Sequence, residues 1–312
     1  MRKLRLHIAQ IGTGRVGRPT AYTIMCAELA DILTVCDVKS GLAEAFAEEL
    51  RHVTASLRLD IEIIACDRAD YVDGADIILV SAGKPRTPGV KMSRRDLGIE
   101  NGKIVKQIAK ATIPNNQGAK YVVITNPVDA MAMVCKKYSQ ADFVISTGTN
   151  LETLRFKVGL AKALNVPISR IDGWVGGEHG TDAIPFWSTV RIDGLSLQEY
   201  LDSSGKSISK KEVEDYVKTV SKLIIDNIGG TEFGPAASFR DIVRAIVKDT
   251  CEVLPVAAPM MFEGIPEPVF VSVPIELGNS IGSSIYNRLT TQERAELKTS
   301  AEVIYQTYKT AL

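Results

Sequence analysis

Short apolar runs alternate with longer amphipathic stretches through the first half of the chain. The runs at 4–11, 32–37, 61–66, 76–81, 121–125 and 143–147 are near-continuously apolar, as strands buried on both faces require. Helical periodicity fills 15–29, 41–56 and 101–113 between them. This alternation predicts a parallel sheet covered by helices on both faces. The second half breaks the rhythm. Helices are predicted over 151–164, 210–227 and 235–251, and strands over 174–177, 188–192 and 269–274. A last helix starts near Thr290, where Thr290-Thr291-Gln292-Glu293 has the spacing of a capping box. The change of pattern near Thr147 predicts two parts, 1–146 and 147–312, the first α/β and the second α+β.

The turn after the first strand changes the picture from architecture to chemistry. Gly12-Thr13-Gly14-Arg15-Val16-Gly17 follows a strand and opens a helix. In that setting the first glycine permits a tight turn, the second lets backbone approach a pyrophosphate, and the third allows close helix–strand packing. The phosphates then meet a helix N-terminus, whose N–H groups and dipole favour negative charge. Asp37 ends the next strand, about 20 residues on, where a carboxylate accepts from both ribose hydroxyls and repels a 2′-phosphate. The expected first part is therefore a Rossmann doubly wound parallel sheet that takes NAD rather than NADP. Ordinary turn glycines and a helix-capping Asp37 are the plainer alternative, but that reading does not explain their order. Pro19 in the first turn of the glycine helix removes a donor at a position where that is tolerated. Ser81-Ala82-Gly83 ends the fourth strand with small residues that either admit the cofactor or simply make a turn.

Composition narrows the partners. In 312 residues, 37 lysines and arginines balance 37 aspartates and glutamates. A zero net charge argues against a nucleic-acid partner, which calls for a basic face or tail. It also does little to oppose self-association. No apolar stretch reaches the roughly 18 residues of a membrane span. The N-terminus runs straight into a strand without the apolar length or cleavage site of a signal peptide, so a cytoplasmic protein is expected. Five cysteines, an odd number with no Cys-x-x-Cys pair, point neither to a disulfide framework nor to a zinc site. No metal is expected, and most of the cysteines are read as small core residues.

Only His7, His52 and His179 carry imidazole. His7 lies inside a strand and His52 in a helical stretch. His179 sits in Gly176-Gly177-Glu178-His179-Gly180, a loop that leaves the ring accessible. An ordinary pKa of about 6.5 suits imidazole to proton transfer near neutrality. Position alone leaves a structural His179 equally open.

Taken in order, Gly12–Gly17, Asp37, Ser81–Gly83, the 86–97 loop, Asn126-Pro127-Val128-Asp129, Leu151–Arg155, Gly177–Gly180, 229–238 and 271–278 resemble the lactate and malate dehydrogenase superfamily over nearly the whole chain. The closest likeness is to malate dehydrogenases of the lactate-dehydrogenase-like type. The resemblance implies reversible hydride transfer between malate and NAD, a place in the tricarboxylic acid cycle, and a homodimer or homotetramer. It makes His179 the proton carrier, Glu152 its orienting carboxylate and Arg155 the fork for the C1 carboxylate. Glu152 departs from the family's usual Asp. Arg86 holds the place that reads the second carboxylate of malate, where a lactate dehydrogenase typically has glutamine. Arg94, beside Arg95, takes the place that polarises the reacting carbonyl. Asn126 and Thr231 line the substrate pocket. Thr13, Arg15, Val16, Ala82, Asn101, Thr125 and Asn126 join the glycines, Asp37 and Ser81 around the cofactor. A non-catalytic NAD-binding protein on the same fold is the alternative from another class, and it would have no need to keep His179, Arg94 and Arg155 together.

Overall fold

The computed structural model describes residues 5–84, 94–180 and 182–312, with the backbone alone for Arg94 and Arg95. The first part builds β1 (His7–Ile11), α1 (Gly17–Cys26), β2 (Ile32–Cys36), α2 (Leu42–Leu57), β3 (Glu62–Cys66), β4 (Ile77–Val80), α3 (Arg94–Thr112), β5 (Lys120–Val123), α4 (Val128–Ser139) and β6 (Val144–Ser146). The six strands lie parallel in the order β3-β2-β1-β4-β5-β6. The order reverses between β1 and β4, so the loops after these strands diverge and open a crevice at the carboxyl edge of the sheet. Gly12, Ser81 and Thr125 all lie at that edge.

The remainder forms α5 (Asn150–Leu164), β7 (Ile171–Gly177), β8 (Ala183–Ile192), β9 (Leu195–Ser196), α6 (Leu197–Ser204), α7 (Lys210–Ile228), α8 (Phe233–Lys248), β10 (Glu252–Met260), β11 (Val269–Leu277), β12 (Ile281–Ser284) and α9 (Thr291–Ala311). β10 joins the antiparallel strands to β6 through the single pair Ala257–Ser146, and the sheet continues β10-β11-β7-β8-β9. One apolar cluster packs α3, α4 and α9 onto the sheet through residues such as Val105, Met131, Val123, Val271, Leu297 and Ile304. On the opposite face, Ile24 and Met25 of α1 meet Ile242 and Ile246 of α8 over Ile8, Leu33 and Leu79. The helix that follows the phosphate loop is thereby packed on a helix from the other half of the chain.

Several elements differ from the sequence expectation. The first helix was expected from residue 15; it starts at Gly17 because Arg15 and Val16 belong to the turn. Residues 126–129 were read only as a turn, yet α4 starts at Val128. This helix is buried on nearly every side, so it carries no polar stripe to reveal its period. The helix expected over 235–251 ends at Lys248, and residues 252–260 form β10 instead. Pro255 and Pro259 hide that strand, since proline removes ladder donors; Pro255 faces Pro274 on β11. The strand expected over 188–192 begins five residues earlier, at Ala183. Cys36, Cys66 and Cys135 are buried, whereas Cys26 and Cys251 are exposed.

The C-terminal helix backs the His179 loop. Gly177 takes a left-handed conformation (φ +83°), and a Cβ there would press on Ile184 and on Ser300 of α9. The capping box at the start of α9 is present, and its Glu293 does more than cap. The Glu293 carboxylate accepts from the Thr290 N–H and hydroxyl (both 2.9 Å) and from the Ser188 hydroxyl (2.7 Å) and N–H (3.2 Å), tying β8 to α9. Burial alone would raise this carboxyl, but the hydrogen bonds from Ser188 and Thr290 outweigh it and hold it below its ordinary range. The tie therefore contributes stability above the unfolded carboxyl's pKa and loses it as pH falls through the lower folded value. Glu293→Ala is expected to cost about 2–3 kcal/mol near neutrality, the sum of a lost cap and charge-assisted bonds. The loss is expected to shrink at acid pH, as measured by urea unfolding at pH 7 and pH 3.

Candidate active site

The phosphate loop is held before any ligand arrives. The Gly12 N–H donates to Cys36 O (2.8 Å), and the Thr13 N–H and hydroxyl donate to Asp37 Oδ2 (2.8 and 3.1 Å). The other Asp37 oxygen accepts from the Lys39 N–H (3.0 Å). Asp37 is thus fixed at the end of β2, half-buried, beside the glycine turn. Ser81 donates to Gly12 O (2.8 Å) and accepts from Gln10 Nε2 (2.7 Å), stitching the β4 loop to the β1 loop.

The glycines give a test of fit for a dinucleotide. A Cβ at Gly12 would overlap the backbone of Ser81 and Ala82, and one at Gly17 would overlap the Gly12 carbonyl. A Cβ at Gly14 would meet no heavy atom within 4 Å. So two of the glycines serve internal packing, and the middle one faces open space on the side where phosphate oxygens would approach. That division matches the demands of a pyrophosphate at a helix N-terminus. Gly83 is hemmed in by Thr125 and Asn101. Thr125 donates to Ala82 O (2.8 Å), while Asn101 Oδ1 accepts from the Lys84 N–H (2.7 Å) and its amide donates to Asn126 O (2.7 Å). The β4, β5 and α3 segments expected around the nicotinamide end are therefore one bonded unit. Val16 packs on the apolar cluster beneath α1.

The second constellation centres on α5. Glu152, 1% exposed, stands in the first turn of that helix, and one oxygen accepts from His179 Nδ1 (3.0 Å). The other accepts from Arg155 Nη1 (3.2 Å), one turn along the same helix. The longer side chain of glutamate reaches the imidazole without loss of geometry and uses both oxygens. Burial would push the Glu152 carboxyl up, but the neighbouring His179 and Arg155 reverse this and hold it below its ordinary value. Burial would likewise make His179 easier to deprotonate, but the Glu152 charge overcomes it and raises the imidazole above 6.5. Nδ1 of the ring is thus committed to Glu152. The carboxylate fixes the tautomer and stabilises the imidazolium, as an orienting acid does in other hydrolytic and redox sites.

The structure brings His179, Glu152 and Arg155 together, and it sets Asn126 at the start of the turn into α4. Thr231 is half-buried between Gly230 and Glu232. Arg15, from the phosphate loop, donates to Glu232 Oε1 (2.6 Å) and lies along Gly229 and Gly230, so the cofactor turn and the Thr231 turn touch. Arg86 lies outside the described residues, as does most of its loop; Arg94 is the first residue of α3, and its side chain also lies outside them. One residue of consequence escaped the sequence expectation. Asp129 follows the Asn-Pro pair and is 2% exposed; its Oδ2 accepts from the His179 N–H (3.0 Å) and its Oδ1 from the Ser146 hydroxyl (2.7 Å). An acid inside a wholly apolar helical run was the available signal. A cleft of about 1300 Å³ between β8, α7 and α9 is lined by none of Asp37, His179 or Arg155. No group of three or more candidate metal ligands occurs among the described residues.

With the geometry in place, comparison with known proteins is informative. Residues 6–143 match the NAD binding domain of lactate/malate dehydrogenase, and residues 149–312 match its alpha/beta C-terminal domain. The chain belongs to the lactate/malate dehydrogenase family. It is 42% identical to a malate dehydrogenase of Sulfurisphaera tokodaii over 302 residues, 97% of this chain and 95% of the relative. It is 33% identical to an L-lactate dehydrogenase of a Thermoanaerobacter species, covering 95% and 96% of the two chains. The crystal structure of the minor L-lactate dehydrogenase of Enterococcus mundtii in a ligand-bound form superposes with a TM-score of 0.90 at 28% identity, covering 98% of both chains.

The carboxylate–imidazole pair gives a direct prediction. Glu152→Gln keeps the size and removes the charge that raises His179. The His179 pKa is expected to fall by at least about one unit, since an adjacent opposite charge typically moves a pKa by about 1–3 units. NMR titration of labelled histidine checks it; an unchanged titration would show that Glu152 does not set the state of the ring.

Proposed function

We propose that this protein is an NAD-dependent malate dehydrogenase, interconverting (S)-malate and oxaloacetate. The observation that carries the reading is the buried Glu152–His179 pair with Arg155 on the same helix face: a proton carrier held at its working protonation state beside a carboxylate receptor. The kinship to the Sulfurisphaera malate dehydrogenase and the arginine at position 86 supply the choice of substrate.

The chain divides the task between its halves, 1–146 for cofactor and 147–312 for substrate. When bound, the nicotinamide supplies or accepts the hydride. Backbone N–H groups at Gly14–Gly17 and the α1 dipole hold the phosphates, and Asp37 takes the adenine ribose hydroxyls. In reduction, Arg155 anchors the C1 carboxylate by a two-pronged bond and orients the keto carbon. Arg94 polarises the carbonyl, and His179 Nε2 delivers the proton to its oxygen. Glu152 stabilises the imidazolium beforehand and orients the neutral ring afterwards. In oxidation the same ring takes the hydroxyl proton. Arg86 pairs with the C4 carboxylate, Asn126 meets the substrate oxygen, and Thr231 closes the wall. The family resemblance supports the cytoplasm as the place of action and a homodimer or homotetramer as the working form, which zero net charge does little to oppose. No helix among the described residues is long and apolar enough to cross a membrane.

Two measurements test the reading. Because Asp37 repels a 2′-phosphate, kcat/KM with NADH is expected to exceed that with NADPH by at least about tenfold; parity would refute the role of Asp37. Wild type is expected to prefer oxaloacetate strongly over pyruvate, which offers a methyl where Arg86 needs an anion. Removing one partner of such a pair costs about 2–5 kcal/mol. At about 1.4 kcal/mol per tenfold, Arg86→Gln loses roughly 30- to 4,000-fold in oxaloacetate specificity, with some gain on pyruvate. A wild type that prefers pyruvate, or a ratio unmoved by the substitution, would sink the malate assignment.

A further inference from the structure

Asp129 is a buried acid to which the mechanism above gives no task. Asp129 stands in the first turn of α4, where the helix dipole favours an anion. Both of its carboxylate oxygens face donors. The His179 N–H points at Oδ2 and the Ser146 hydroxyl at Oδ1. Ser146 Oγ is itself committed by accepting from the Gly148 N–H (3.1 Å), so its own proton is directed to Asp129. Gly148 lies in the turn that runs from β6 into α5, the helix of Glu152 and Arg155. A single carboxylate thus bridges the loop of the imidazole and the turn that launches its partner.

Charge gives the bridge a second consequence. Among the ionisable groups that act on His179 are Glu152 and Arg155 from α5 and Asp129 from α4. The two acids favour the protonated ring, and Arg155 opposes it. Burial prevails and holds the Asp129 carboxyl above its ordinary range, although the hydrogen bonds from the His179 backbone and Ser146 and the imidazole itself pull it down. The donor set shows which form the site is built for.

We propose that Asp129 is a positioning residue for the proton carrier: it pins the His179 loop to the β6–α5 turn, and it sets a second buried acid, 3.0 Å from the His179 backbone, whose charge favours the protonated ring. It touches neither substrate nor cofactor and acts only through His179. The proposal rests on His179 being the proton carrier of the preceding reading.

Two variants separate the bond from the charge. Asp129→Asn keeps an acceptor for the His179 N–H and removes the charge; Ser146→Ala keeps the charge and removes one tether. Both are assayed in the whole protein for NADH affinity by fluorescence, for the pH profile of oxaloacetate reduction, and for His179 titration by NMR. His7, buried and bonded to Thr34, and His52, exposed, give separate reference signals. Reduction needs the protonated ring, so activity falls as pH rises through the His179 pKa. In Asp129→Asn that fall is expected to move to lower pH by at least about half a unit, as expected for loss of a nearby opposite charge. Its NADH affinity is expected to stay within about twofold. The deficit is expected to narrow on acidification, a rescue that a merely structural bond would not give. Ser146→Ala is expected to lower kcat about three- to tenfold with the His179 titration in place. An Asp129→Asn protein whose titration and pH profile match wild type would overturn the proposal, and so would an equal shift in Ser146→Ala. A wild type without oxaloacetate activity would refute the substrate reading instead, while the NMR titration would still decide the role of Asp129.

Discussion

A carboxylate removed from water must be paired, and in this chain the pairing of Glu152 organises the site around it. Burying an unpaired Glu152 would drive it neutral. Its two oxygens instead take His179 and Arg155, and the three groups fix one another. For that pair to form, α5 must start immediately after β6, β7 must end at the sharp turn of Gly177, and α4 must present Asp129 to the His179 backbone. Three segments far apart in sequence are thereby drawn to a single point. The replacement of the family's usual Asp by Glu leaves the logic intact. The extra methylene lengthens the arm, and the second oxygen holds Arg155 beside the imidazole's partner.

The same point lies on the seam of a continuous sheet. β6 and β10 share one residue pair, Ala257–Ser146, and β11 and β7 share one, Ser272–Gly177. Ser146 and Gly177 flank the His179–Asp129 contact, so the thinnest joints of the sheet coincide with the chemistry. Strength there comes from side chains rather than ladder bonds. The α1–α8 contact on one face and the Glu293 tie on the other supply it. Arg15 and Glu232 add a link between the phosphate turn and the turn carrying Thr231. Both of these side chains are substantially exposed, so the link has little worth as a stabilising ion pair. Its interest is geometric: two turns that must meet the two ends of one reaction are in contact.

Much of this was legible in the sequence, for identifiable reasons. A parallel sheet buried on both faces writes itself as apolar runs, and the phosphate turn writes itself as glycines, because no side chain fits at Gly12 or Gly17. The capping box at Thr290 was readable because its bonds are local. What failed was non-local or masked by composition. A helix without a polar face, α4, has no period to detect, so Asp129 within it carried no signal beyond its charge. β10 contains two prolines and is tolerated because it makes only one residue pair with β6. The joining of Glu152 to His179, 27 residues away, was implied by family resemblance and could not be read from spacing. Composition could not have shown that a glutamate would serve where an aspartate is usual; only the reach of the side chain in the fold decides that.

A common principle runs through both ends of the site. Asp37 is held by the backbone N–H groups of Thr13 and Lys39, Asp129 by that of His179, and Glu152 by an imidazole and a guanidinium. Each of these three acids is therefore oriented by donors supplied by the fold. A carboxylate offers about four lone-pair positions, so Asp37 can keep its protein bonds and still accept ribose hydroxyls. Binding then requires little rearrangement of charged groups, which lowers the ordering cost of association. On the proposed mechanism the same rigidity would favour the transition state, because dipoles already in place need not reorganise as charge moves between the keto oxygen and the imidazole. The stability lost in burying these acids is offset by the donors that orient them, and for Asp37 and Asp129 these include the Thr13 and His179 backbone groups, in turns that Gly12 and Gly177 make possible.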